Sequence, residues 1–259
     1  MALLDLIARL EKRPLYSLLG RRVYDELDTV LFIGAVELET AIASVNEGLK
    51  KGFIHFKLKA DGKIHEDATR IKSVLETLPN DATLRIDANC GWQRYSKAKK
   101  ALSLIEEDDR IEYIEQPVLK TNFEDLKALS KSQTIPIFAD ESAMSIQDVI
   151  RLVSENIVDG ICIKLTKLGG LRNAKLVADI ARAAHLPVTI ISAFEASLGA
   201  MANIHLAATV SNLHSATELL PWWLNADPVN RPLRETPVIK IQDAIGLGLD
   251  LDREKLGAS

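Results

Sequence analysis

Short apolar runs rich in β-branched and aromatic residues recur along the chain. Each is followed by a longer stretch whose apolar residues fall at three- and four-residue spacings. The runs TVLFIGA (29–35), FIHFKLKA (53–60), TLRIDANC (83–90), IEYIEQP (111–117), IPIFADES (135–142), GICIKLTK (160–167), PVTIISAF (187–194) and LHSATELL (213–220) predict eight strands. Between them, ELETAIASVNEGLKK, HEDATRIKSVLETL, YSKAKKALSLIEE, NFEDLKALSKS, SIQDVIRLVSE and GLRNAKLVADIARAA predict helices with one covered face. Alternating strands and helices, with near-continuous apolar strands, predict an α/β fold whose parallel sheet is buried on both faces. Eight repeats predict closure into a (β/α)8-type barrel. An open doubly wound sheet is the alternative. Against it, no G-x-G-x-x-G follows the first strands, and KLGGL at 167–171 is too short a glycine signal.

The ends extend beyond a bare barrel. Residues 1–28 read as a helix and turn leading in, 29–235 as the barrel, and 236–259 as a strand-like PVIKIQD followed by the turn-rich AIGLGLDLD. The run EEDDR at 106–110 reads as a solvated helix end and turn. A net charge of -4 and a pI near 5.8 give no basic excess, which argues against a nucleic-acid partner. Cys90 and Cys162 lack the spacing of a zinc or redox pair, so free thiols in a reducing, cytoplasmic setting are expected. The opening MALLDLIARLEKR carries Asp5 and Arg9 inside its apolar pattern, so neither a signal peptide nor a membrane segment is expected.

Charged residues recur near the predicted strand ends: Lys59, Asp87, Glu115, Asp140 and Lys164, separated by 28, 28, 25 and 24 residues. In a barrel these ends open at one mouth, so the five side chains converge. A strand-end carboxylate can equally cap the next helix, so the spacing speaks for the barrel more firmly than for catalysis. Three converging carboxylates, Asp87, Glu115 and Asp140, repel one another unless a cation joins them. All-oxygen ligation at an open site suits Mg²⁺, with Mn²⁺ a second option. No histidine pair stands at metal-ligand spacing, which argues against zinc. Lys57 and Lys59, two apart on a strand, project to one side, and Lys164 joins them from across the mouth. Desolvation and a neighbouring cation lower a lysine pKa and make it available as a base. Two such lysines across a metal-bound carboxylate suit abstraction of the proton α to that carboxylate.

The motifs KLK (57–59), DANCGW (87–92), IEQP (114–117), ADES (139–142) and IKLTKLGGL (163–171) resemble, in order and spacing, the muconate-lactonizing-enzyme-like branch of the enolase superfamily. That resemblance implies a modified (β/α)7β barrel with Asp87, Glu115 and Asp140 as Mg²⁺ ligands. It implies Lys59 as the base on one face and Lys164 as acid, base or cationic stabiliser on the other. Lys57 would support Lys59 and the substrate carboxylate, with Asn89 and Glu141 behind the ligands. The segment SAFEASLG (192–199) is similar to o-succinylbenzoate synthases, which implies dehydration of a cyclohexadiene carboxylate in menaquinone or phylloquinone synthesis. Ser192, Glu195 and Ser197 would then meet the small-molecule carboxylate substrate, although they read equally as a loop and helix cap. Dipeptide epimerases share the lysine pair but carry an Asp-x-Asp near the eighth strand, where this chain reads SATELLPWW. An epimerase, racemase or cycloisomerase of the same branch, or a non-catalytic barrel serving as a binding or assembly module, are the alternatives. Members of the superfamily carry an N-terminal α+β capping domain, and this chain begins at the helix that would follow it. The expectation is therefore a barrel without that cap and a C-terminal strand without its partner, with a separate capping chain or a homo-oligomer open. Trp222 and Trp223 are expected to pack under the barrel rim rather than line the pocket.

Overall fold

A computed structural model describes residues 1–105 and 108–257. Glu106 and Glu107 of the charged run, and the last two residues of the C-terminal segment, lie outside the described residues. Among those described, seven strands form one parallel sheet in sequence order: β2 (Leu31–Ile33), β3 (His55–Lys59), β4 (Thr83–Asp87), β5 (Ile111–Glu115), β6 (Ile137–Ala139), β7 (Gly160–Ile163) and β8 (Val188–Ile190). Each lies inside a predicted run, and the strands are shorter because the polar ends of those runs turn out of the ladder. The segment predicted as the eighth strand joins the two outer strands. On one side the His214 and Glu218 N–H groups donate to Val188 and Ile190; on the other Thr217 N–H donates to Asp28 and Val30 N–H donates to Thr217.

Helices follow the strands as their periodicity requires: α2 (Leu38–Lys50), α3 (Ile64–Thr77), α4 (Tyr95–Leu104), α5 (Phe123–Ser132), α6 (Ile146–Ser154) and α8 (Leu171–Ala183). Asn122 and Ser145 cap α5 and α6 by accepting the N–H of Asp125 and Asp148. Two helices go beyond the pattern. Lys164 ends its strand run by opening the short α7 (Leu165–Leu168), and α9 (Ser197–Ala207) follows β8. The α9 sequence SLGAMANIHLA is apolar all round and almost wholly buried, so no amphipathic period announces it.

The terminal segments pack on each other. In α1 (Ala2–Leu10), Asp5 accepts the Leu247 N–H at 2.6 Å and Arg9 donates to the Leu249 carbonyl at 2.6 Å. The C-terminal strand, expected to lack a partner, has one: β9 (Val238–Lys240) runs antiparallel to β1 (Glu26–Asp28), register Leu27↔Ile239. That pairing satisfies backbone groups that a lone strand would leave open. The charged ELD of β1 gives no strand signal in the sequence.

The interior of the sheet is partly polar. Near the strand starts, Glu112 accepts from Arg85 Nε at 2.6 Å, from Thr83 at 2.7 Å and from Ser215 at 2.6 Å. Above it Tyr113 and Phe138 stack with centroids 4.0 Å apart, beside Cys162 and Ile191. Gly160 makes room for this stack, because a Cβ there would stand 2.2 Å from the Phe138 ring.

His205 on α9 links the core to the N-terminal segment, accepting the Tyr16 N–H at Nδ1 (3.1 Å). Burial holds its pKa below the ordinary imidazole value. The unfolded chain takes up a proton that the folded one resists, so this contribution is whole above about pH 6.5 and is lost as pH falls through the depressed folded value. Urea midpoints measured from pH 8 to pH 5 are expected to fall, and to fall less in His205→Gln. Equal slopes in both proteins would remove His205 as the cause.

Candidate functional site

Parallel register puts the site together strand by strand. Lys59 pairs with Asp87 across β3 and β4, and Asp87 with Glu115 across β4 and β5. Asp140 and Lys164 stand one residue past β6 and β7. All five residues read from the sequence thus sit at the same end of the sheet.

The two lysines of FKLKA are divided by depth. Lys57, with its side chain 2% exposed, places Nζ 2.9 Å from Asp87, 2.7 Å from Glu115 and 2.7 Å from Glu218. Burial disfavours its charge, but these three carboxylates outweigh burial and hold its pKa well above the ordinary lysine value. Lys57 is therefore a fixed counterion. Lys59, one pleat nearer the mouth and 19% exposed, donates to Asp87 at 2.6 Å and to the Asn89 side-chain oxygen. Asn89 in turn donates to Glu141 at 3.0 Å, with its own backbone at φ +41°. Asparagine is among the few residues other than glycine that adopt this region readily.

Lys164, also 19% exposed, donates to Asp140 Oδ2 at 2.6 Å. Burial works against its ammonium, but Asp140 and then Glu115 prevail and raise its pKa above the ordinary value. These carboxylates are the source of the upward shift at Lys164, opposite in sign to the effect of a neighbouring cation. Burial pushes the Asp140 carboxyl up, but Lys167 and Lys164 outweigh it and hold Asp140 below the usual range. Glu115 is the exception among the carboxylates. Burial first, then the adjacent Asp87, drive its pKa well above the ordinary value. Both its oxygens are buried without a hydrogen-bond partner, since the Lys57 contact is a charge contact without hydrogen-bond alignment.

Among the described residues, no three carboxylate, imidazole or thiol groups are gathered to hold a metal ion as they stand, and ammonium groups contact the oxygens of Asp87 and Asp140. The donor chemistry still fits a hard cation. The set is all oxygen, comes from three adjacent strands, and leaves both Glu115 oxygens without a hydrogen bond where a cation would accept them as ligands.

Three functional neighbours escaped the sequence reading. Lys167 donates to the Asp140 carboxylate, to the Asp140 carbonyl (2.7 Å) and to the Cys162 carbonyl (3.2 Å). Its three-residue offset from Lys164 on a short helix was the available signal. Glu218 comes from the segment that joins the outer strands, and Gln116 is fully buried. The Gln116 side-chain oxygen accepts the N–H groups of Asp140 and Ser142 (3.0 Å each), fixing the backbone that carries Asp140. The loops after β3 and β4 are pinned likewise: Asp67 accepts from the Asp61 and Gly62 N–H groups and from the Trp92 indole at 3.0 Å.

The residues read from SAFEASLG behave differently. Glu195 accepts from Ser192 Oγ at 3.0 Å, from the Ala193 N–H at 2.5 Å and from the Asn203 side chain. Ser197 is fully buried and ties Asp227 (2.6 Å) to the Leu233 N–H (2.8 Å). These contacts hold the loop itself. Trp222 packs against the core as expected, whereas Trp223 is half exposed.

Residues 40–255 match the family described as enolase C-terminal domain-like. The chain is 34% identical over 253 residues to a hydrophobic dipeptide epimerase of Enterococcus faecalis, a match covering 96% of this chain and 70% of that protein. Its fold superposes on the crystal structure of an N-succinyl Arg/Lys racemase from Bacillus cereus with a TM-score of 0.93 at 26% identity, covering 98% of this chain and 68% of that one. Muconate lactonizing enzyme from Pseudomonas putida gives a TM-score of 0.93 at 30% identity, covering 99% and 72%.

Proposed function

The chain belongs to the enolase C-terminal domain-like family, in the muconate-lactonizing-enzyme-like branch of the enolase superfamily, and from that premise we propose that it moves a proton on and off the carbon next to a carboxylate, as an epimerase or racemase of N-acylated amino acids such as dipeptides. The observation that carries this reading is the pairing of Lys59 and Lys164. Each is partly exposed, each is anchored to its own aspartate, and the two stand at the ends of β3 and β7 with the carboxylates between them. Inversion at a carbon needs a proton acceptor on one face and a donor on the other. Dehydration to a synthase product needs one base. The named relatives are an epimerase, a racemase and a lactonizing enzyme, so they favour the epimerase alternative over the o-succinylbenzoate synthase expected from SAFEASLG.

Asp87, Glu115 and Asp140 are the residues that would hold Mg²⁺, which when bound supplies positive charge to stabilise the charge developing on the substrate carboxylate. The chain's own residues do the rest. Asn89 and Asp87 orient Lys59 Nζ, and Asp140 orients Lys164 Nζ. Lys57 sets one buried positive charge against both Asp87 and Glu115. Lys167 and Gln116 fix Asp140 from its side chain and its backbone.

The test is loss of the α-proton signal in D₂O, followed by proton NMR on a panel of dipeptides and N-acyl amino acids with Mg²⁺ present and Asp140→Asn as control. Exchange accompanied by stereochemical inversion is expected for the native chain, and a loss of about 10²-fold or more in the variant. Absence of exchange across the panel would overturn the reading and favour a binding or assembly module.

A further inference from the structure

Three aromatic side chains from three separate segments meet, and one of them, Phe32, lies beside Lys59. Phe32 is the register partner of Lys57, so its ring faces the same interior, and its centroid lies 5.8 Å from Lys59 Nζ. Phe194 and Trp223 meet that ring edge-on, at 5.9 Å and 5.2 Å, each with an interplanar angle of 86°. The two also touch each other at 6.2 Å. Phe194 and Trp223 nevertheless remain 48% and 49% exposed. Rings left half in water contribute little to folding, and their packing on the ring that flanks Lys59 calls for another reason.

The backbone of Phe194 strengthens the point. Its φ is +60°, a left-handed conformation that costs energy for a residue with a Cβ. The loop holds it there: Phe194 N–H donates to Ser192 Oγ at 3.0 Å, while Ser192 Oγ and the Ala193 N–H both donate to Glu195. Three polar contacts thus keep a strained aromatic ring at the mouth. Such a conformation persists only where its surroundings over-determine it, as these contacts do here.

We propose that Phe32, Phe194 and Trp223 form an apolar wall that seats the non-reacting apolar portion of the substrate beside Lys59. The preferred substrate is an N-acylated α-amino acid bearing an aliphatic or aromatic group. This rests on the two-lysine reading of the site. The wall also sets which face of the α-carbon meets Lys59, because a group seated on Phe194 and Trp223 turns the reacting carbon toward the amine.

The test is a tryptophan-fluorescence titration of the full chain in Mg²⁺ with N-acetyl-L-phenylalanine and N-acetyl-L-serine. Trp92 is fully buried and Trp222 is packed on the core, so Trp223→Phe assigns the signal. The phenylalanine derivative is expected to bind about tenfold tighter than the serine derivative. Trp223→Ala should abolish that preference and leave serine-derivative affinity within about twofold. Phe194→Gly removes the ring and relieves the positive φ, so it should lose the preference without losing stability. Equal affinities in the native chain, equal losses for both ligands in Trp223→Ala, or no binding of either ligand at about 10 mM would overturn the wall. So would a dimer that dissociates in Trp223→Ala, since the rings would then cover a second copy. α-Proton exchange in the same samples tests the site separately. Preference without exchange keeps the wall and sinks the epimerase; exchange without preference does the reverse.

Discussion

Lys164→Ala is expected to abolish inversion while leaving solvent exchange intact for the one enantiomer whose α-proton faces Lys59. Lys59→Ala should give the mirror-image result. Removing a positioned acid or base costs about 10²–10⁴ in rate, and here that loss should fall on one enantiomer in each variant. The geometry favours clean variants. Without Lys164, Asp140 keeps Lys167; without Lys59, Asp87 keeps Lys57. Neither substitution leaves a buried aspartate unpaired, so lost turnover can be separated from lost folding. Enantiomer-resolved exchange in D₂O is the measurement. If either variant loses exchange on both enantiomers equally, one lysine is the base and the other acts through its charge, as a synthase or lyase would require.

Lys57→Met carries the larger expected cost in stability. Its ammonium is the common partner of Asp87, Glu115 and Glu218, which are all buried. Removing it leaves Asp87 with Lys59 but strands Glu115 and Glu218, at about 3–5 kcal/mol. Against a typical domain stability of about 5–15 kcal/mol, that should leave a marginal fold in metal-free buffer. The double variant Lys57→Met with Glu218→Gln removes one stranded charge along with the cation, and should recover part of the loss. Urea unfolding with and without Mg²⁺ reads both effects. A single variant within about 1 kcal/mol of the native chain would show that the carboxylates take up protons at little cost, and that Lys57 is not what holds them.

Much of this was legible in the chain itself. Period two along FKLKA puts Lys57 and Lys59 on one face, and the repeat of strand and helix brings Lys59, Asp87, Glu115, Asp140 and Lys164 to one end of a parallel sheet. Those are local rules, because the pleat and the helical turn are set by neighbouring residues. The motifs along the same strands pointed to the superfamily, and the match over residues 40–255 bears that out.

Depth and partnership came only from the tertiary structure. Lys57 and Lys59 look alike in sequence, yet one is a buried counterion and the other reaches the mouth, because a strand's alternation says which face a side chain takes and not how far down the interior it lies. Glu218 meets Lys57 across a separation of 161 residues, and Gln116 fixes Asp140 through two backbone N–H groups. The partner of β9 was hidden in a charged tripeptide, and α9 in a segment apolar on every side. Phe32, Phe194 and Trp223 stand 162 and 29 residues apart in the chain, and no periodicity links them. What the sequence determined by itself was each side chain's face on its own element; which faces meet, and at what depth, was decided by the packing of distant segments around one interior.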